Sequence, residues 1–183
     1  MMQNICLLIR LSCFANFTPR LYICKDMKIT LLLVGKTDIS WVREGLGMYV
    51  SRLKHYVPFE LVEIPELKNV SALSRDQIKQ REGELILKAV KPSDELILLD
   101  ERGKEYRSVE FAAMLGEKLS RSSRDIIFSV GGAYGFSPEV YSRADSKLSL
   151  SKMTCSHQLV RTIFAEQLYR AFTILKGEPY HHE

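Results

Sequence analysis

Short apolar segments alternate with longer amphipathic ones along the chain from Met27 onward. Nearly continuous apolar runs predict strands over residues 28–34, 95–99 and 126–130, and shorter or mixed segments predict two more over 59–64 and 146–150. Segments in which apolar residues recur every three or four positions predict helices over residues 38–56, 74–90, 108–119, 138–144 and 159–175. This alternation predicts an α/β fold with a mostly parallel sheet and helices on both of its faces.

Residues typical of helix ends mark the limits of these segments. We expect four polar residues to act as N-caps and Gly177 as a C-cap. The N-cap candidates are Asp38, Ser74, Ser108 and Ser137. The polar segment 101–107, which contains Gly103, is expected to be a turn between a strand and the next helix.

The chain is long enough for one domain with a substantial core, and its charge is nearly balanced. It has 183 residues with a formal net charge of +4, from 26 basic and 22 acidic side chains. Residues 1–26 contain three basic residues and one acidic residue, so the remainder carries 23 basic and 21 acidic side chains, a net +2. Bulk charge therefore does not indicate a nucleic-acid-binding protein, and any RNA site must be a local patch.

Residues 1–26 differ from the rest of the chain. They hold three of the four cysteines, whereas Met27 begins a normal first strand. We expect residues 1–26 to be an extension upstream of the true start or a disordered leader, and residues 27–183 to form a single domain. A lone Cys155 in that domain cannot form an internal disulfide, which favours a cytoplasmic location. Neither zinc-like spacing nor a membrane-spanning apolar stretch is present, so we expect no metal and no membrane partner.

Two loops that follow predicted strands carry the candidate chemistry. The first reads Phe-Ser-Val-Gly-Gly-Ala-Tyr-Gly-Phe-Ser-Pro over 128–138, and the second reads Leu-Ser-Leu-Ser-Lys-Met-Thr-Cys-Ser-His-Gln-Leu-Val-Arg over 148–161. Ligands of open α/β sheets bind at the carboxyl ends of strands. Gly131 and Gly132 let the backbone approach a flat ligand closely, although paired glycines are also common in simple tight turns.

These loops resemble the RlmH (YbeA) family of SPOUT-class methyltransferases. The segment Leu98-Leu99-Asp100-x-x-Gly103-Lys104 and the ending Glu178-Pro-Tyr-His-His-Glu183 fit as well, so the resemblance covers residues 27–183. It implies a SPOUT-type fold with a trefoil-knotted C-terminal part and S-adenosyl-L-methionine as cofactor. It further implies a cytoplasmic homodimer that methylates N3 of a pseudouridine in the helix 69 stem-loop of 23S rRNA on assembled ribosomes.

The resemblance also assigns candidate site residues. The cofactor-binding residues it implies are Leu99, Gly131, Gly132, Leu150, Ser151, Lys152, Met153, Thr154 and Cys155. The catalytic candidates are His157, Arg161, Tyr180 and His181. We interpret Cys155 itself as a small filler rather than a nucleophile, because no activating group is evident.

Each catalytic candidate has an alternative interpretation. His157 is expected to position the target base or relay its proton, with Glu166 as another possible base, but it could instead cap the last helix. Arg161 is interpreted as an RNA phosphate or dimer contact, or else as an ion-pair partner of Glu166 or Asp100.

The closing segment has two interpretations as well. Tyr180 can stack on an RNA base, and with His181 it is expected to complete the active site of a partner subunit. Taken alone, such a segment would be a solvated end.

Two departures from the family pattern concern RNA contacts. Relatives often have Gly-Gly-Pro-Glu-Gly where this chain has Gly-Gly-Ala-Tyr-Gly at 131–135, and Tyr-His-Arg-Glu where this chain has His182. The main alternative function is a ribosome-binding assembly factor of the same fold that performs no chemistry and binds no methyl donor. A dehydrogenase is disfavoured because the dinucleotide-binding glycine fingerprint is absent.

Overall fold

A parallel sheet forms the centre of the part of the chain that the structure describes, residues 27–181 of this computed structural model. Its strands are β1 Ile29–Val34, β2 Phe59–Ile64, β3 Glu95–Glu105, β4 Ile126–Val130 and β5 Ser146–Ser149. Their order is β2-β1-β4-β3-β5, and every neighbouring pair is parallel. The predictions for residues 1–26 and for His182 fall outside the described range, and the domain limits stay a prediction.

Helices cover both faces of this sheet. They are α1 Ser40–Leu53, α2 Arg75–Ala89, α3 Ser108–Arg121, α4 Pro138–Arg143 and α5 Leu159–Lys176, with a 3₁₀ turn at Val70–Ala72. The α/β class with a mostly parallel sheet and helices on both faces is confirmed. The trefoil knot stays a prediction.

Successive side chains of each central strand point alternately into two hydrophobic cores, one on each face of the sheet. In β1, Leu31 and Leu33 belong to the core shared with α1, α3 and α5, whereas Leu32 belongs to the core shared with α2 and α4. In the first core the rings of Phe128 and Phe164 lie 4.7 Å apart between centroids. Because strand residues alternate between faces, a strand buried on both sides must be apolar throughout, which explains the continuous apolar runs.

Three of the expected helix caps are confirmed. Ser74 and Gln77 form a reciprocal capping box at the start of α2. The Ser137 hydroxyl accepts a hydrogen bond from the backbone N–H of Val140 at 3.4 Å. Gly177 ends α5 in the left-handed region at φ 66°.

The other two N-cap predictions are wrong. Ile39, and not Asp38, occupies the N-cap position of α1, and it makes no side-chain cap. The helix begins at Ser40, one residue later than an N-cap at Asp38 would require. Ser108 is already inside α3, and the carboxylate of Glu110 instead accepts a hydrogen bond from the backbone N–H of Arg107 at 2.9 Å. Both errors are single-residue displacements that local sequence cannot resolve.

The predicted turn at 101–107 is also wrong. β3 continues to Glu105 and pairs again with β5 after an irregularity between Leu99 and Lys104. A Cβ atom on Gly103 would lie 2.6 Å from the backbone N and C atoms of Leu148. Gly103 is therefore required for close contact between two strands rather than for chain reversal.

Candidate active site at the carboxyl ends of the central strands

A cavity of about 550 Å³ lies at the carboxyl ends of three adjacent strands. In the sheet register Leu99 of β3 lies beside both Val130 of β4 and Leu148 of β5, so the loops that follow these residues meet at one edge. The volume is within the usual range for small-molecule sites, roughly 300–1,000 Å³. The two loops that carry the candidate chemistry and the segment after Leu99 therefore meet at this edge of the sheet.

Eight of the nine expected cofactor-binding residues line this cavity. They are Leu99, Gly131, Gly132, Leu150, Ser151, Met153, Thr154 and Cys155. Lys152 is exposed and is not among the lining residues. The structure shows that these eight residues line one cavity. Their role in binding a cofactor stays a prediction.

The glycine loop is shaped by packing as well as by the cavity. The backbone N–H of Gly135 donates to the carbonyl of Gly132 at 3.1 Å, and Gly135 has φ +79°. A Cβ on Gly131 would come within 3.3 Å of the Phe136 ring, and one on Gly132 would overlap the Glu82 carboxylate. The tight-turn interpretation and the ligand-approach interpretation are therefore compatible.

The second loop is a small-residue turn that leaves most of its side chains exposed. The Ser149 hydroxyl donates to the carbonyl of Ser151 at 2.9 Å, and the N–H of Met153 donates to the Ser151 hydroxyl at 3.0 Å. At the far end Gln158 is anchored by its Nε2, which donates to the carbonyl of Lys36 at 2.9 Å.

Cys155 is exposed at the cavity. The interpretation of Cys155 as a filler is wrong, because a filler must be enclosed by other atoms.

His157 lines the cavity just before α5 and is partly buried. Burial is the main cause that lowers its pKa below the ordinary 6.5, the charge of Arg161 lowers it further, and Glu66 acts in the opposite direction. The imidazole is consequently neutral near pH 7 and has a nitrogen lone pair available to accept a proton. Gln158, not His157, is the N-cap of α5, and it makes no side-chain cap, so the helix-cap alternative for His157 is wrong.

Arg161 is completely buried, so the prediction of an RNA or dimer contact is wrong for this side chain. Its guanidinium donates to the carbonyls of Val34 at 2.7 Å, Gly35 at 3.1 Å and His157 at 3.0 Å. It also donates to the Thr37 hydroxyl at 2.9 Å. The guanidinium therefore joins the end of β1 to the start of α5, where backbone carbonyls past the strand end need donors.

The ion pairs proposed for Arg161 are also absent. Glu166 pairs with Arg170, whose Nε lies 3.0 Å from it, and Asp100 accepts a hydrogen bond from the hydroxyl of Tyr141. The charge of Arg161 is balanced at longer range by Glu63, Asp38 and Glu66, which partly offset the lowering of its pKa by burial. The Glu63 carboxylate accepts a hydrogen bond from the hydroxyl of Thr37 at 2.8 Å, which links it to the guanidinium through one side chain.

Tyr180 and His181 do not line the cavity of their own chain. The Tyr180 hydroxyl donates to Glu166 at 3.2 Å and lies 3.4 Å from the hydroxyl of Tyr49, while its ring packs edge-on against Tyr169 at 4.8 Å. Glu166 lies with this aromatic group rather than at the cavity, so its candidacy as a base has no geometric support within one chain.

Several cavity residues were missed by sequence reasoning. Tyr134, Tyr141 and Lys79 line the cavity, and the first two come from turns or short helices whose direction has no sequence signature. Glu82 lies behind Gly132, and its buried Oε2 has no hydrogen-bond partner among residues 27–181. Burial, reinforced by repulsion from Glu66, raises the pKa of Glu82 above its ordinary value.

The residues that the structure describes offer neither a metal site nor a membrane-spanning helix. Within residues 27–181, no group of three or more His, Cys, Asp or Glu side chains is placed to hold a metal ion. None of the helices in this same range has the length and apolar character needed to cross a bilayer.

Known proteins match this chain over the described range. The family model for predicted SPOUT methyltransferases matches residues 27–181. The chain is 55% identical over 157 residues to ribosomal RNA large subunit methyltransferase H of Parabacteroides distasonis, with 86% of this chain and 100% of the relative covered. The same-named protein of Phocaeicola vulgatus is 54% identical with the same coverage, and that of Christiangramia forsetii is 53% identical over 156 residues, 85% of this chain and 99% of the relative. The resemblance found in the two loops is thereby confirmed, and the chain belongs to the RlmH family of SPOUT methyltransferases.

Proposed function

We propose that this protein methylates N3 of a pseudouridine in the helix 69 stem-loop of 23S rRNA, on assembled ribosomes in the cytoplasm, with S-adenosyl-L-methionine as donor. One observation carries the proposal. Eight residues expected to bind the donor meet at a single cavity, in a chain that matches ribosomal RNA methyltransferases over their full length.

The residues of the cavity fit such a donor. The volume of about 550 Å³ is adequate for a nucleoside with an amino-acid side arm. Val130 and Leu148, each 3% exposed, give it an apolar floor, while the loop at 150–155 presents polar backbone at its side. Leu99, Gly131 and that loop would hold the donor, which when bound supplies an electrophilic methyl group on a sulfonium centre.

The acceptor must lose a proton before it can attack, because N3 of pseudouridine is an imide nitrogen. His157 is the group at the cavity suited to hold that proton, since its lowered pKa keeps the imidazole neutral. Most of the remaining acceleration would come from orientation of the two reactants.

A homodimer is part of the proposal. Tyr180 and His181 lie outside the cavity of their own chain, so they can act on the reaction only from a second copy. On α1, Trp41 is 60% exposed and Met48 is 44% exposed, and their seven-residue spacing places them on one face of the helix. Exposed large apolar side chains of this kind suit a subunit contact.

The decisive experiment maps methylated nucleosides by mass spectrometry in ribosomes incubated with the protein and donor. We expect one new methylated pseudouridine on ribosomes and little on protein-free 23S rRNA, because the nearly neutral chain offers a small electrostatic footprint for free RNA. Equal rates on the two substrates would contradict the ribosome requirement. Calorimetry with S-adenosyl-L-methionine separates this enzyme from a non-catalytic assembly factor, which would show no binding.

The role of His157 is tested by His157→Ala. We expect kcat to fall about 10²- to 10⁴-fold, the usual contribution of a positioned acid or base, with donor affinity retained. His55→Ala removes an exposed histidine in the turn that follows α1 and serves as the control. In the wild-type enzyme the acidic limb of the pH–rate profile should lie below pH 6.5, because the pKa of His157 is lowered. Unchanged kcat in His157→Ala would remove His157 from the mechanism.

A further inference from the structure

An exposed aromatic ring stands at the cavity with no role in the chemistry described so far. Tyr134 is 45% exposed and lines the cavity. It is carried by the tight turn that the N–H of Gly135 closes onto the carbonyl of Gly132. The buried floor of the cavity is formed by Val130 and Leu148, so a half-exposed ring lies at the mouth rather than in the interior.

One part of this ring is already covered by a cation. The guanidinium carbon of Arg75 lies 5.5 Å from the centroid of the Tyr134 ring. Arg75 is the first residue of α2, and the capping box of Ser74 with Gln77 holds the backbone at that point. The ring is therefore supported from one side by a defined element while much of its surface stays open.

A second cation extends the same edge of the cavity. Lys79 lies four residues after Arg75, one turn further along α2, and lines the cavity. Its ammonium group pairs with Asp76 at 2.7 Å. An open aromatic ring flanked by Arg and Lys is the arrangement with which proteins hold unpaired nucleotides, because every base has a flat face and every nucleotide carries a phosphate.

We infer that Tyr134, supported by Arg75, is a stacking platform for an unpaired base of the RNA substrate at the mouth of the cavity. This inference rests on the proposed function and adds an RNA-contacting residue to it.

The test compares Tyr134→Ala with Tyr134→Phe, using wild-type ribosomes as substrate. Loss of one base–aromatic stack should raise KM for ribosomes about 5- to 100-fold in Tyr134→Ala. Tyr134→Phe retains the ring and should behave as wild type. The Kd for S-adenosyl-L-methionine, measured by calorimetry, should be unchanged in both, which also shows that the cavity is folded.

Tyr106→Ala is the matched control. Tyr106 also carries a cation over its ring, with Lys104 Nζ 4.6 Å from the centroid, but it does not line the cavity. Its KM for ribosomes should stay at the wild-type value.

Two results would overturn the inference. An unchanged KM for ribosomes in Tyr134→Ala would show that the ring bears no base. A parallel loss of donor affinity would show that the ring contacts the donor instead.

Failure of the proposed function is distinguishable from failure of the platform. If the wild-type protein binds donor but does not methylate ribosomes, the proposed reaction is wrong. The platform is then tested by filter binding of a labelled single-stranded RNA oligonucleotide, for which Tyr134→Ala should bind about 5- to 100-fold more weakly than Tyr134→Phe. Equal binding by these two variants would overturn it.

Discussion

Replacement of Arg161 by methionine tests the assignment of this residue to the interior rather than to RNA. Methionine retains much of the volume but none of the donors. The change would leave four acceptors without their partner in a fully buried place, namely the carbonyls of Val34, Gly35 and His157 and the hydroxyl of Thr37.

The expected cost follows from those four contacts. Hydrogen bonds to a charged group contribute about 1.5–3 kcal/mol each, but removal of the guanidinium also removes the cost of burying its charge. The net loss should be about 3–5 kcal/mol, a large share of the ~5–15 kcal/mol by which domains are stable. Arg161→Lys keeps the charge and loses the planar fork, so it should lose roughly 1–3 kcal/mol.

Equilibrium unfolding in urea measures these changes, with linear extrapolation to water. Arg121→Met is the matched control, because the Arg121 side chain is 76% exposed and its pair with Glu117 is on the surface. The control should change the free energy of unfolding by less than about 0.5 kcal/mol.

A loss of less than about 1 kcal/mol in Arg161→Met, a change typical of an average substitution, would refute a structural role for the guanidinium. A variant of wild-type stability that had lost affinity for ribosomes would restore the phosphate-contact interpretation. A destabilised variant whose residual folded fraction methylates ribosomes with the wild-type KM would support the structural role.

Three further predictions concern other buried contacts. Burial beside Glu66 raises the pKa of Glu82 above 4.5, so wild-type stability should fall as pH rises through the interval above 4.5. Glu82→Gln should remove that fall. By urea unfolding it should be more stable than the wild type by about 1 kcal/mol at pH 7 but not at pH 4. A stability difference from the wild type that does not change with pH would contradict the prediction. Gly132→Ala should cost about 1–3 kcal/mol because its Cβ overlaps the Glu82 carboxylate, and a double-mutant cycle should show less cost in a Glu82→Ala background. Tyr56→Phe should lose about 1 kcal/mol through the hydrogen bond that its hydroxyl donates to Glu178, and an unchanged urea midpoint would count against an anchored C-terminal segment.

Local patterns in the sequence determined where the strands begin, most helix limits and the two loops that line the cavity, although the end of β3 was missed. The predicted strands at 126–130 and 59–64 match β4 and β2 residue for residue. β4 was readable because all five of its residues are buried, and a strand buried on both faces is largely apolar. Ser74 and Gly177 were readable as caps since capping depends on residues within one turn. The two loops could be assigned to a family, and hence to a methyl donor, because their motifs are contiguous.

Only the tertiary structure decided what individual side chains near those loops do. Arg161 was expected at the RNA, yet it is held in the interior by carbonyls 126 and 127 residues earlier in the chain. Glu82 proved to lie behind Gly132, and Arg75 against Tyr134, through contacts that join α2 to a loop of the sheet. Such pairings depend on the order of the strands in the sheet and on how the helices pack across it. No window of neighbouring residues therefore contains the information that identifies the partners of a side chain. The role of a polar side chain follows from the partners that folding brings to it.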